Sequence, residues 1–223
     1  MWKSINTVVF YVNSKFKYSQ TVAIFSLVGT LIKCKSHKYL YDNIEEKIKE
    51  IDDGGGSIII FDSFKTSNLE DLKQAVELLE KNTCPLAVFF STDSNKYSKP
   101  FTGMWDIMEM MYRNKNKIIN KDVSMMIGNK AGRVTVKHKL IDYSCSDRAF
   151  AHNVGIKFTT PERFFLNDQK FRLWEWNDKI LDNVNRKAVL SGMQKIQLPV
   201  ISEHIESLQS LCVPKKFQCM VIV

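Results

Sequence analysis

An α/β domain with a mostly parallel sheet and flanking helices is predicted by three observations. Strand-length apolar runs alternate with amphipathic helical patterns through the first half of the chain, the order expected of a parallel sheet with crossover helices. The run Ser57-Ile58-Ile59-Ile60-Phe61 is β-branched and does not alternate, as in a parallel strand buried on both faces. A chain of 223 residues that is 44% hydrophobic has enough apolar surface for a sizeable core.

The elements follow in order. Residues 8–12, Val-Val-Phe-Tyr-Val, read as a first strand and 21–25, Thr-Val-Ala-Ile-Phe, as a second. Ile44, Ile48 and Ile51 recur at helical spacing among glutamates and lysines, so 42–51 is a short amphipathic helix. It stops at Asp52-Asp53-Gly54-Gly55-Gly56, where glycine supplies a left-handed cap residue. After the strand at 57–61, Ser67 with Glu70 forms a capping-box pattern for a helix through Leu69, Leu72, Val76 and Leu79 to Lys81. A strand at 86–90, a helix at 105–111 and a short strand at 125–128 come next. Past Phe171 the pattern degrades, with a helix at 203–211 and a strand at 217–223 still legible. The division expected is therefore 1–170 as the main domain and 171–223 as a C-terminal extension packed on it. No internal repeat appears.

Composition narrows the setting. Lysine and arginine number 32 against 24 aspartates and glutamates, a formal charge of +8 that favours polyanionic partners such as DNA or RNA. The five cysteines (Cys34, Cys84, Cys145, Cys212, Cys219) are scattered and form no C-x-x-C pair, which points to reduced thiols. The N-terminus lacks the layout of a signal peptide, and no apolar run approaches the roughly 18–20 residues of a membrane span. An intracellular protein, cytoplasmic or nuclear and without a membrane partner, is expected.

The strand at 21–25 runs into Ser26-Leu27-Val28-Gly29-Thr30. This strand-then-loop resembles the place where haloacid-dehalogenase phosphatases carry Asp-x-Asp-Gly-Thr, with Ser26 and Val28 at the two aspartate positions. Lys99-Pro100-Phe101-Thr102-Gly103-Met104-Trp105 resembles the K-P-x-x-G-M-W signature of the 3′-phosphatase domain of polynucleotide kinase/phosphatase. Gly128-Asn129-Lys130-Ala131-Gly132-Arg133 is similar to that family's G-D-x-A-G-R, and the stretch from Asp142 to Asn153 to its D-x-S-x-x-D-x-x-F-A-x-N. Thr160-Pro161-Glu162-Arg163-Phe164-Phe165-Leu166 is also family-like. On these motifs, in the right order across nearly the whole chain, the sequence is identified as a member of that family. A haloacid-dehalogenase-like three-layer domain is implied, and the chain stops where a kinase's G-x-x-x-x-G-K-[ST] loop is expected to begin.

The resemblance implies a nucleophilic Asp, a second Asp as general acid and base, a phosphate-binding hydroxyl and lysine, and acidic residues that seat Mg²⁺. Mapped onto this sequence, the nucleophile position is Ser26, the acid/base position Val28, the hydroxyl position Asp62 and the Gly-Asp metal ligand Asn129. Lys99, Thr30 and Arg133 remain as phosphate-binding remnants and Asp147 as a metal-site remnant. Losing a nucleophile or base alone costs on the order of 10⁴–10⁶ in turnover. The expectation is therefore a non-enzymatic pseudo-phosphatase without cofactor, serving as a nucleic-acid-associated or protein-binding module in replication, repair or transcription. One alternative is a residual Mg-dependent polynucleotide 3′-phosphatase working through Ser26 or a relocated carboxylate; another is a structural subunit.

Asp62, replacing a hydroxyl, is expected to pair with Lys99 and plug the pocket, an idea excluded if the two lie more than about 6 Å apart. The competing reading keeps Lys99 as a receptor for a phosphate end, and a plainer one makes Lys99 and Arg133 relics of the fold. Trp105 is expected in the core, and Trp174 and Trp176 on one face of an extended segment. Met108, Met110, Met111, Met125 and Met126 are expected to fill core gaps. His37, His138, His152 and His204 show no ligand spacing, and Lys137-His138-Lys139 reads as a solvated basic loop.

Overall fold

The computed structural model describes residues 1–176, apart from 35, 37, 65–68 and 138. Seven strands, β1 (Lys3–Ile5), β2 (Val8–Val12), β3 (Val22–Phe25), β4 (Ser57–Ser63), β5 (Ala87–Ser91), β6 (Met125–Ile127) and β7 (Lys157–Thr159), form one sheet. Their order is β1-β2-β5-β4-β3-β6-β7. The five strands from β5 to β7 are parallel, and β2 and β1 extend the β5 edge antiparallel. Among the described residues five α-helices accompany them: α1 (Ile44–Asp53), α2 (Leu69–Asn82), α3 (Gly103–Arg113), α4 (Ser146–Val154) and α5 (Pro161–Leu166).

Successive residues of a strand point to opposite faces, so the apolar runs of β3, β4 and β5 feed two cores. Ile24, Ile59, Phe61 and Phe89 pack with Met104 and Met108 of α3 and Phe150 of α4 on one face. Phe25, Ile58, Ile60 and Phe90 pack on the other face with Ile44 and Ile48 of α1, Leu72, Val76 and Leu79 of α2, and Phe165 of α5. The result is the predicted three-layer α/β domain.

Several elements differ from the sequence reading. β4 runs two residues past 61 and so carries Asp62 and Ser63 within the strand. β1, β7, α4 and α5 lie in stretches read only as motifs or connections. α1 does end in the glycine run as expected, with Gly54 right-handed (φ −72°) and Gly55 supplying the left-handed residue (φ +80°). Trp105 is buried as expected, together with Met108 and Met126, but Met110 is half exposed because it sits on the outer face of α3. Trp174 and Trp176 meet edge to face with centroids 4.8 Å apart. No disulfide links Cys34, Cys84 or Cys145. The Ser67 cap, His37, His138, and everything expected within 177–223 lie outside the described residues.

Candidate active site

The carboxyl ends of β3, β4 and β6 converge, and the strand order reverses between β3 and β6. Ligands of open parallel sheets bind at such a point. Ser26 follows β3 directly, and its N–H donates to the Ile127 carbonyl at 3.0 Å, which ties the departing loop to β6. The loop then folds into a tight turn. The Leu27 carbonyl accepts from the N–H groups of Leu31 (2.9 Å) and Ile32 (3.0 Å), and Gly29 N–H donates to Ile32 O at 2.8 Å. Glycine is required at 29 twice over: φ is +77°, and a Cβ there would lie 2.5 Å from Asn129 Nδ2.

This turn aims two main-chain donors inward, and both meet Asp62. Leu27 N–H and Val28 N–H donate to Asp62 Oδ2 at 3.0 and 3.1 Å, while Ser63 N–H donates to Oδ1 at 2.8 Å. Asp62 Oδ1 also lies 3.6 Å from Lys99 Nζ and 3.7 Å from Lys130 Nζ. Burial alone would raise the Asp62 pKa. The ammoniums of Lys99 and Lys130 and the main-chain donors more than offset that and hold it below the ordinary carboxylate value. Asp62 is therefore an ionised, buried carboxylate at neutral pH.

Lys99 is enclosed on every side. Its ammonium donates to Ser26 Oγ (2.7 Å), Phe61 O (3.0 Å) and Asp147 Oδ1 (2.6 Å), with the side chain 1% exposed. Asp147 stands in the first turn of α4, where the helix dipole favours a negative charge. Its second oxygen accepts the Lys130 N–H at 3.0 Å. Its carboxylate presses so closely on Gly128 that a Cβ there would fall 2.6 Å from the Asp147 Cβ and Cγ. Asn153 of α4 steadies the segment that bears Lys99 by donating to Pro100 O at 3.0 Å.

The structure thus brings together Ser26, Asp62, Lys99 and Asp147, all read from the sequence. The Asp62–Lys99 separation lies inside the limit set for their pairing, although the shorter carboxylate contact of Lys99 is to Asp147. Val28 contributes its main-chain N–H. Thr30 is fully buried, and its hydroxyl donates to Asn129 Oδ1 at 3.4 Å. Arg133 faces elsewhere. Its guanidinium grips Asp142 through two bonds of 2.8 Å and Glu162 through one of 2.7 Å, so it clamps the loop after β6 to α5. Lys130 carries no signal in the sequence, since it fills a variable position of the G-D-x-A-G-R pattern. The Leu27 and Val28 donors are backbone atoms, which no residue type announces.

Mg²⁺, the ion the resemblance implies, takes oxygen ligands in near-octahedral geometry at about 2.0–2.1 Å. Asp62 and Asp147 are each already matched to an ammonium and to main-chain donors, and Asn129 is neutral. Among the described residues no group of three or more His, Cys, Asp or Glu side chains could hold a metal ion. This donor set does not fit the ion.

Comparison with known proteins adds a family. A family model described as polynucleotide kinase 3 phosphatase matches residues 21–165. A 20.8 kDa protein from the FGF-VUBI intergenic region of Autographa californica nuclear polyhedrosis virus is 30% identical over 164 residues, covering 66% of this chain and 86% of that one. The bifunctional polynucleotide phosphatase/kinase of Schizosaccharomyces pombe is 27% identical over 181 residues, covering 74% of this chain and 42% of its own. Polynucleotide 3′-phosphatase ZDP of Arabidopsis thaliana is 29% identical over 195 residues, covering 74% of this chain and 27% of its own. The chain thus spans less than half the length of the yeast and plant relatives. No helix among the described residues is long and apolar enough to cross a membrane.

Proposed function

The chain belongs to the polynucleotide kinase 3′-phosphatase family, and we propose that it removes terminal phosphate from polynucleotides through a rearranged carboxylate site. The observation that carries this reading is the anion seat at the ends of β3 and β4. Two main-chain N–H groups and two ammoniums converge there on an ionised carboxylate, within the span that the family model matches.

This reading replaces the expectation that the chain is not an enzyme. The yeast and plant relatives are named as polynucleotide phosphatases, which points to an enzyme. The vacant Asp-x-Asp positions argued against chemistry only while no other carboxylate reached the seat, and Asp62 reaches it from β4.

Asp62 suits the nucleophile's role better than Ser26. A carboxylate is ionised at neutral pH and needs no base to attack, whereas a hydroxyl does. The group hydrogen-bonded to Ser26 Oγ is the Lys99 ammonium, which donates a proton there and does not accept one. The phosphoryl oxygens would be met by Lys130, with a third of its side chain open to solvent, while the enclosed Lys99 holds Asp62 and Asp147 in place. As Asp62 bonds to phosphorus, the bond to the sugar oxygen breaks and that oxygen takes a proton from Lys130. Water then cleaves the acyl-phosphate, releasing inorganic phosphate and returning a proton to Lys130. With valine where the family's acid stands, turnover is expected to be slow, by on the order of 10⁴ for the missing group.

The +8 charge suits a polyanionic substrate. The test is phosphate release from a 3′-phosphorylated oligonucleotide by the whole chain. Release that exceeds that from the same oligonucleotide phosphorylated at its 5′ end is expected. A rate no greater than buffer alone for both would overturn the proposal.

A further inference from the structure

The Lys99 ammonium is held as a metal ion would be. Three oxygens of different origin surround it at 2.6–3.0 Å: a hydroxyl from the end of β3, a carbonyl from within β4 and a carboxylate from α4. A fourth, Asp62 Oδ1, stands at 3.6 Å. The side chain is 1% exposed, so this cage is closed to water as well.

The charges close on themselves. Two carboxylates, Asp62 and Asp147, face two ammoniums, Lys99 and Lys130, and the four sum to zero. A dication added here would leave the cluster at +2 in a buried setting, where an uncompensated charge is costly. It would also have to take Asp147 from Lys99 at 2.6 Å and from the Lys130 N–H at 3.0 Å. Mg²⁺ gives up its own water reluctantly and gains only from anionic oxygens free to approach to about 2.1 Å.

From this arrangement we infer that the site works without a divalent metal, with Lys99 as its resident cation. The inference rests on the phosphatase reading for its catalytic part and on the cage alone for its binding part. Negative charge developing on the transferred phosphoryl group would be met by the Lys130 ammonium and by main-chain N–H groups held in place by the fold, with Lys99 fixing the two carboxylates. The site would differ in this from the magnesium-dependent one that the family resemblance implies.

Two measurements on the whole chain separate the parts. The first is calorimetric titration with MgCl₂, paired with thermal melts in EDTA and in MgCl₂ at matched ionic strength. No saturable heat and superimposable melts are expected. Saturable binding with a Kd below about 1 mM, or a melt raised by magnesium as a native-state ligand raises it, would overturn the inference. The second is phosphate release from the 3′-phosphorylated oligonucleotide under the same two conditions. Rates within about twofold are expected, and a loss of tenfold or more in EDTA, about 1.4 kcal/mol of barrier, would overturn it. Absence of release in both conditions would sink the phosphatase reading, and the titration would still decide the metal question.

Discussion

Replacing Lys99 with methionine keeps the volume of its stem and deletes one charge from the centre of the site. The loss is large because of what stays behind. Asp147 has no exposed side-chain surface and Asp62 has 4%. Without the ammonium, Asp147 loses its 2.6 Å partner, Ser26 Oγ and Phe61 O lose a donor, and Asp62 keeps its main-chain donors and Lys130 but loses a charge partner. Removing one member of a buried pair typically costs about 3–5 kcal/mol, since the remaining charge stays desolvated. In a domain of this size each kcal/mol lowers Tm by about 2–4 °C, so a fall of roughly 6–20 °C is expected. Urea unfolding of Lys99→Met, followed by tryptophan fluorescence, measures the loss directly. Adding Asp147→Asn to the same chain removes the stranded carboxylate, and the double variant is expected to recover at least half of the deficit. A loss below about 1 kcal/mol, the size of an exposed ion pair, would refute the closed cage.

Three further outcomes follow from the same geometry. The Asp62 pKa is depressed in the folded chain, so its contribution to stability is present above the unfolded value near pH 4 and is lost as pH falls through the lower folded value. Acid titration of wild type against Asp62→Asn checks this, with the variant expected to show the shallower acid limb. Gly128→Ala places a methyl against the Asp147 side chain and is expected to cost about 1–3 kcal/mol in a thermal melt, as overpacking of a tight contact does. Arg133→Lys keeps the charge but not the fork that engages Asp142 through two bonds. Its stability in the same melt is expected to fall by about 1.5–3 kcal/mol, the size of a lost hydrogen bond to a charged group, because an ammonium cannot make both bonds to Asp142.

The fold was legible where physics leaves a local mark. The runs ending at Phe25 and Phe90 and the isoleucine triplet of β4 announce central strands, because a strand covered on both faces has no polar alternation. β7 was not legible: Lys-Phe-Thr is three residues long and one of them is charged. α4 was hidden because its buried positions include Ser146 and Asp147, polar residues that the site makes tolerable. The end of β4 was read two residues short for the same reason, since a carboxylate in a central strand contradicts the pattern unless something beyond the strand compensates it.

The site divides likewise. Ser26, Lys99 and Asp147 carry motif positions and could be aligned, and Asp62 could be matched to Lys99 by charge alone. The sequence could not say that Asp62 would occupy the seat formed by the Leu27 and Val28 amides, because backbone donors carry no residue signature. Nor could it say that Arg133, a basic residue in a phosphatase motif, faces Asp142 and Glu162, since partner choice is fixed by how the loop after β6 meets α5. The expectation of no enzyme takes each aligned position by itself, so Asp62 at the hydroxyl position reads as a plug for Lys99 and not as a carboxylate that could act in place of the vacant aspartates.

Asp62 is the centre of the proposed chemistry, and its most direct test is phosphate release from a 3′-phosphorylated oligonucleotide by wild type, Asp62→Asn and Ser26→Ala side by side. The expected result is release by wild type, loss of at least about 10³-fold in Asp62→Asn, and a rate within tenfold of wild type in Ser26→Ala. Release that survives in Asp62→Asn and disappears in Ser26→Ala would place the chemistry on the serine and contradict the account.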